Sequence, residues 1–186
     1  KVLEILKKYN AHATFYIVGS HVEGNEALVQ QVVAEGHELG DHSYSHPQLT
    51  KKSADEVYQE VHKTSDLIAK ATGGLRPMSL RPPYGAFDKM VSEQAGIAIV
   101  NWSIDSYDWK YRDAAKTIER VKETAHNGGI LLMHDIHEES VEALPTIIEY
   151  LQGEGYELVT VTELMGGQPL QPNHVYFDRV EHKQIQ

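Results

Sequence analysis

The chain has 186 residues, with 17 basic and 27 acidic side chains and a formal charge of −10 when histidine is neutral, a length that builds one sizeable core rather than two. No basic stripe marks it for nucleic acid, no apolar run approaches a membrane span, and its first residues lack a signal-peptide pattern. It has no cysteine, so disulfides and thiolate ligands are excluded and any metal must be held by histidine and carboxylate.

Val2, Leu3, Leu6 and Tyr9 are spaced for an opening helix, and Ala13 to Val18 is rich enough in β-formers for a first strand. Ala27 to Glu35 reads as a helix stopped by Gly36, with His37 to Asp41 as the next strand. Ser53 followed by Glu56 is a capping box that opens a long helix to about Ala71, ended by Gly73 and Gly74. A short strand near Met78 to Arg81 and a helix from Phe87 to Ala95 follow, then a strand from Ile97 to Trp102 and a helix from Ala114 to Ala125. Gly129 to His134 is predicted as a strand, Val141 to Leu151 as a helix and Glu157 to Val161 as a final strand. Alternating strands and helices argue for an α/β protein with a largely parallel sheet. Residues 166–186 have no clear period and are expected to lie on the surface as a tail, pinned by Val175, Tyr176 and Phe177.

Four unusual clusters each fall just past the C-terminal end of a predicted strand, where parallel α/β folds place their active sites. They are His42-Ser43-Tyr44-Ser45-His46, Arg81-Pro82-Pro83-Tyr84-Gly85, Asp105-Ser106-Tyr107-Asp108-Trp109 and Leu131-Leu132-Met133-His134-Asp135. Two imidazoles four residues apart can reach one face and occupy adjacent corners of a tetrahedral metal site. Singly, each cluster has an ordinary explanation: a chance histidine pair, a rigid turn, a solvated loop, a hydrogen-bonded core histidine. All four in order on one predicted face are harder to explain that way.

In this order the motifs resemble those of the NodB-homology polysaccharide deacetylases, carbohydrate esterase family four. The likeness runs from Ala13 to about Met165, and the wording is most similar to bacterial peptidoglycan N-acetylglucosamine deacetylases. It implies a distorted parallel (β/α) barrel whose first strand is missing from this chain, with residues 1–165 as the deacetylase domain. That missing strand would carry the family's Thr-Phe-Asp-Asp-Gly motif, whose aspartates are a metal ligand and the catalytic base. No Asp-Asp pair occurs in the chain. A complementary N-terminal piece carrying them is therefore an expected partner, beside a glycan polymer substrate. Asp41 is a conceivable stand-in ligand, although strand alternation points it away from His42.

The resemblance further implies one divalent metal, zinc first with cobalt or nickel as alternatives, held by His42 and His46. His134 would be the general acid, supported by Asp108 rather than Asp105. Arg81 would pair with the absent base, and the backbone N–H of Tyr84 would donate to the oxyanion. Trp109 and Leu132 would wall the acetyl pocket. His137 is left between a supporting role and simple exposure, and the other histidines are assigned nothing. The expected reaction is N-deacetylation of N-acetylglucosamine in peptidoglycan, at the cell surface or wall outside the cell. Chitin oligomers, xylan or another exported polysaccharide are alternative substrates, and a non-catalytic glycan-binding relative is the alternative class.

Overall fold

Short apolar runs align side by side in the computed structural model, which describes all residues 1–186. Strands β1 (Thr14–Ile17), β2 (Glu38–Asp41), β3 (Ser79–Leu80) and β4 (Ala98–Val100) pair in parallel in that order. Each crossover between them carries a helix, as parallel pairing requires: α2 (Glu26–Ala34), α3 (Ala54–Thr72) and α4 (Lys89–Ala95). The opening helix α1 (Val2–Lys8) precedes β1. Ala98, Ile99 and Val100 are all fully buried, the pattern of a strand covered on both faces.

Beyond β4 the chain leaves the main sheet. Strands β5 (Ile104–Asp105) and β6 (Leu131–Leu132) form a separate parallel pair. Between them lie α5 (Asp108–Tyr111) and α6 (Ala114–Thr124), and α7 (Glu138–Gly153) follows. Helices α6 and α7 pack through Val121, Ala143, Ile147 and Leu151. The fold is α/β with a mostly parallel sheet, and its strand ladders do not close into a ring. No helix is long and apolar enough to cross a membrane.

Local chemistry accounts for the longest element. The amide of Glu56 donates to Ser53 Oγ, the amide of Ser53 donates to the Glu56 carboxylate, and Gly73 ends α3 at a φ of 74°. Val57 and Val61 on its inner face meet Leu49, Leu80, Val91, Ile99 and Val175 in one cluster.

Two expectations differ from what is observed. Glu157 to Thr160 is irregular, and Val161 begins the short helix α8 (Val161–Leu164). One ladder-like bond forms there, from the His12 amide to the Leu158 carbonyl. The amides of Val161 and Thr162 instead donate to Thr14 Oγ1 and the Glu38 carboxylate, and Thr160 caps α8. The segment expected as a surface tail supplies β7 (His174–Tyr176), parallel to β4, and β8 (His182–Gln184), antiparallel to β7. Val175 and Tyr176 are buried there, so this end of the chain is part of the core.

Candidate active site

The first cluster leaves β2 as a tight loop. Nδ1 of His42 faces the carbonyl of Arg81, which can only accept, so Nδ1 carries the proton and Nε2 keeps a free lone pair. The His46 ring lies edge-on to it, with centroids 4.8 Å apart. Burial pushes His42 down to about 4, with the charges of His46, Arg81 and His134 adding to the effect against the bond to Arg81. Burial lowers His46 as well. Both rings are therefore neutral at physiological pH, the state in which imidazole ligates metal. Asp41 does not join them. Its buried carboxylate accepts from the Ser43 amide at 2.9 Å and Ser65 Oγ at 2.8 Å, and burial raises it to about 7. No group of three or more His, Asp or Glu side chains is placed to hold a metal.

Arg81 follows β3 and is 9% exposed. Its guanidinium donates to the carbonyls of Val100 and Asn101 and lies 4.3 Å from the centre of the Tyr16 ring. No carboxylate pairs with it, and burial lowers its pKa. Tyr16 has room to cross the sheet because its register partner is Gly40, where an added Cβ would stand 2.2 Å from the ring. Tyr84 has a left-handed backbone at φ 63°, and its ring lies edge-on to His46 at 5.0 Å. Gly85 and Ala86 donate back to Pro82 and Pro83, whereas the Tyr84 amide has no acceptor within the chain. Ser43, His46 and Tyr107 are left-handed too. Such non-glycine conformations persist where surrounding bonds enforce them, and they cluster at functional sites.

His134 follows β6, and Asp108 starts α5. Nδ1 of His134 is 2.8 Å from Asp108 Oδ1, which also accepts from the Trp109 amide at 2.8 Å. Oδ2 accepts from the His134 amide and from Ser140 Oγ, both at 2.7 Å. Burial pushes Asp108 up, but the bonds from His134 and Ser140 outweigh it and hold the carboxyl at about 2. Asp105 is engaged elsewhere, accepting from the Tyr107 amide and the Trp109 indole. Trp109 is half-exposed, and Leu132 is buried on β6 in register with Asp105. His137 begins α7 with its ring 5.9 Å from that of His134.

All four sequence clusters thus emerge beyond the C-terminal ends of parallel strands. His37 accepts from the Ala13 amide and His62 stacks on Tyr58, structural roles for two histidines that match no motif. A concavity of about 590 Å³ between α8 and β7–β8 includes none of these residues. Sequence reasoning passed over Ser140, Ser65, Tyr16 and Glu60. Each is a single polar or aromatic residue on a regular element, and only the fold reveals what it touches.

An imidazole pair, a buried guanidinium and an aspartate-backed histidine thus sit just beyond the ends of parallel strands. The model of the family described as polysaccharide deacetylase matches residues 1–100, and the chain belongs to that family. The chain is 44% identical over 184 residues to the peptidoglycan-N-acetylglucosamine deacetylase PgdA of Listeria monocytogenes, covering 99% of this chain and 39% of that protein. It is 39% identical over 164 residues to the peptidoglycan-N-acetylmuramic acid deacetylase PdaC of Bacillus subtilis, covering 88% and 35%. The chain therefore spans well under half the length of these relatives. A family 4 acetyl xylan esterase from Clostridium thermocellum, solved in complex with a cobalt ion, matches with a TM-score of 0.90 at 32% identity, covering 97% of this chain and 91% of that one.

Proposed function

We propose that this chain removes the acetyl group from N-acetylglucosamine in peptidoglycan, hydrolysing the amide with one divalent metal and releasing acetate and a free amine at the cell wall. The observation that carries this reading is a neutral imidazole pair, with Nε2 of His42 free, together with an aspartate-backed histidine, all just beyond the C-terminal ends of parallel strands. The likeness to peptidoglycan deacetylases supports the substrate.

The donor set fits zinc, and cobalt or nickel equally in kind. His42 would hold the ion through Nε2 and His46 through a ring nitrogen. When bound, the ion supplies a water that ionises near neutral pH and polarises the acetyl carbonyl. The unpaired guanidinium of Arg81 calls for an anion beside it, and a two-histidine site calls for an anionic third ligand. We assign both to an aspartate pair outside these 186 residues, in keeping with the motif resemblance.

The remaining roles fall to this chain. The free Tyr84 amide donates to the oxygen that gains charge, a contribution whose removal typically costs about 3 kcal/mol of transition-state stabilisation. His134 delivers a proton from Nε2 to the departing amine, because Nδ1 is committed to Asp108. The Asp108 carboxylate fixes the orientation of the ring through Nδ1. Trp109 and Leu132 offer one flat and one branched wall for the methyl group.

Acetate release and new amine should be measured on peptidoglycan, N-acetylglucosamine oligomers and acetylated xylan, with the metal supplied. Peptidoglycan should be turned over fastest. Preference for xylan would favour the ester-cleaving alternative that the esterase likeness supports, and binding without acetate release would favour a non-catalytic glycan binder.

A further inference from the structure

Glu60 lies on α3, remote in sequence from every motif, and its carboxylate points into the loop between His42 and His46. Oε2 accepts from the amides of Tyr44 at 2.9 Å and Ser45 at 2.8 Å, and Oε1 accepts from Ser45 Oγ at 2.7 Å. The flanking amides are held in the same way, Ser43 by Asp41 Oδ1 and His46 by Ser43 Oγ. Four successive amides, Ser43 to His46, therefore end on side-chain oxygens rather than on a helix or sheet ladder. One turn along α3, Lys63 sets its ammonium 3.6 Å from the centre of the Tyr44 ring.

This anchoring matters because the loop is conformationally demanding. Ser43 and His46 both have left-handed backbones, at φ 65° and 62°. Such a loop relaxes when its acceptors are removed, and relaxation moves one imidazole relative to the other. Groups that orient ligands without touching the metal typically control affinity 10- to 100-fold. We propose that Glu60 is a positioning residue that holds His42 and His46 at ligating separation, so that metal affinity is set partly from α3. The proposal rests on the two-histidine metal reading.

Zinc titration of the intact protein, aspartate pair included, by calorimetry, with His42→Ala/His46→Ala as background and all variants held below their unfolding midpoints, separates the proposal from the metal reading. Glu60→Ala should weaken zinc binding about 10- to 100-fold. Glu60→Gln keeps an oxygen for the two amides and an NH₂ for Ser45 Oγ, and should stay close to the parent. Ser45→Ala, at an exposed position, removes one of the three bonds and should weaken binding about two- to tenfold. It keeps the proposal testable if Glu60→Ala does not fold. Unchanged affinity in Glu60→Ala or Ser45→Ala overturns the proposal, even with a lowered unfolding midpoint, since that pattern belongs to a purely structural residue. Glu60→Gln binding as weakly as Glu60→Ala also overturns it, because charge and not amide anchoring would then be at work. A parent isotherm identical to the double-alanine background overturns the metal reading itself, and the proposal with it.

Discussion

Replacing Asp108 with asparagine removes the charge at the meeting point of four hydrogen bonds. Each carboxylate oxygen accepts two donors, at 2.7–2.8 Å, from Trp109, His134 and Ser140. An amide offers one oxygen, so in either orientation its NH₂ faces a backbone N–H, of Trp109 or His134, that cannot accept. The Asp108 carboxyl is held at about 2, below its ordinary 3.8, a difference on the order of 2 kcal/mol. A folded-state value below the unfolded one means that this stability is fully present above about pH 4 and is lost as pH falls towards 2. Urea unfolding at pH 7 should therefore find Asp108→Asn destabilised by at least about 2 kcal/mol. At pH 3 the gap should narrow by about 1 kcal/mol, because protonation has begun to remove the same interactions from the parent. A gap of constant size from pH 7 to pH 3 would refute the assignment of a low, hydrogen-bond-held carboxylate at this position.

His134→Ala should lower kcat about 10²- to 10⁴-fold with metal content unchanged, and metal loss measured on that variant would make His134 a ligand instead. In the active protein Asp108→Asn should lower kcat, since Nδ1 of His134 would lose the carboxylate that orients the ring; an unchanged kcat would remove Asp108 as its partner. Gly40→Ala drives a methyl into the Tyr16 ring that supports Arg81, and should cost about 1–3 kcal/mol in urea unfolding. Parent-like stability would mean that the ring moves freely. Val175→Ala should cost about 2 kcal/mol or more by the same assay, as for a fully buried side chain, whereas a surface tail would give under about 0.5 kcal/mol.

Most of the α/β pattern was legible because helices such as α3 announce themselves by period and caps, and because the strands of the main sheet are bounded by glycine or turn residues. The four clusters were legible because each is contiguous. What was hidden depends on distant partners. His174–Tyr176 has no alternation to mark it, and becomes a strand because β4 offers a free, apolar edge. The run from Leu158 to Val161 looks like a strand, yet Leu158 packs between α7 and α1 while Thr14 and Glu38 capture the amides that follow. Glu60 and Ser140 gave no signal, since a lone polar residue on a helix ordinarily faces water. Arg81 was read through an absent partner, and only burial reveals how firmly carbonyls and Tyr16 hold it meanwhile.

The pairing of β4 with β7 also sets an order of events during synthesis. A ribosome releases the apolar run Ala98–Val100 before its neighbour His174–Tyr176 exists, so one flank of that strand waits unpaired while residues 101–173 emerge. Nascent chains with such open flanks are prone to intermolecular strand addition. The late-arriving hairpin ends the exposure twice over: β7 fills the vacancy, and β8, with Lys183 and other exposed polar side chains, turns a polar border outward. A product truncated just before Asn173 would keep all four clusters and still be inclined to precipitate.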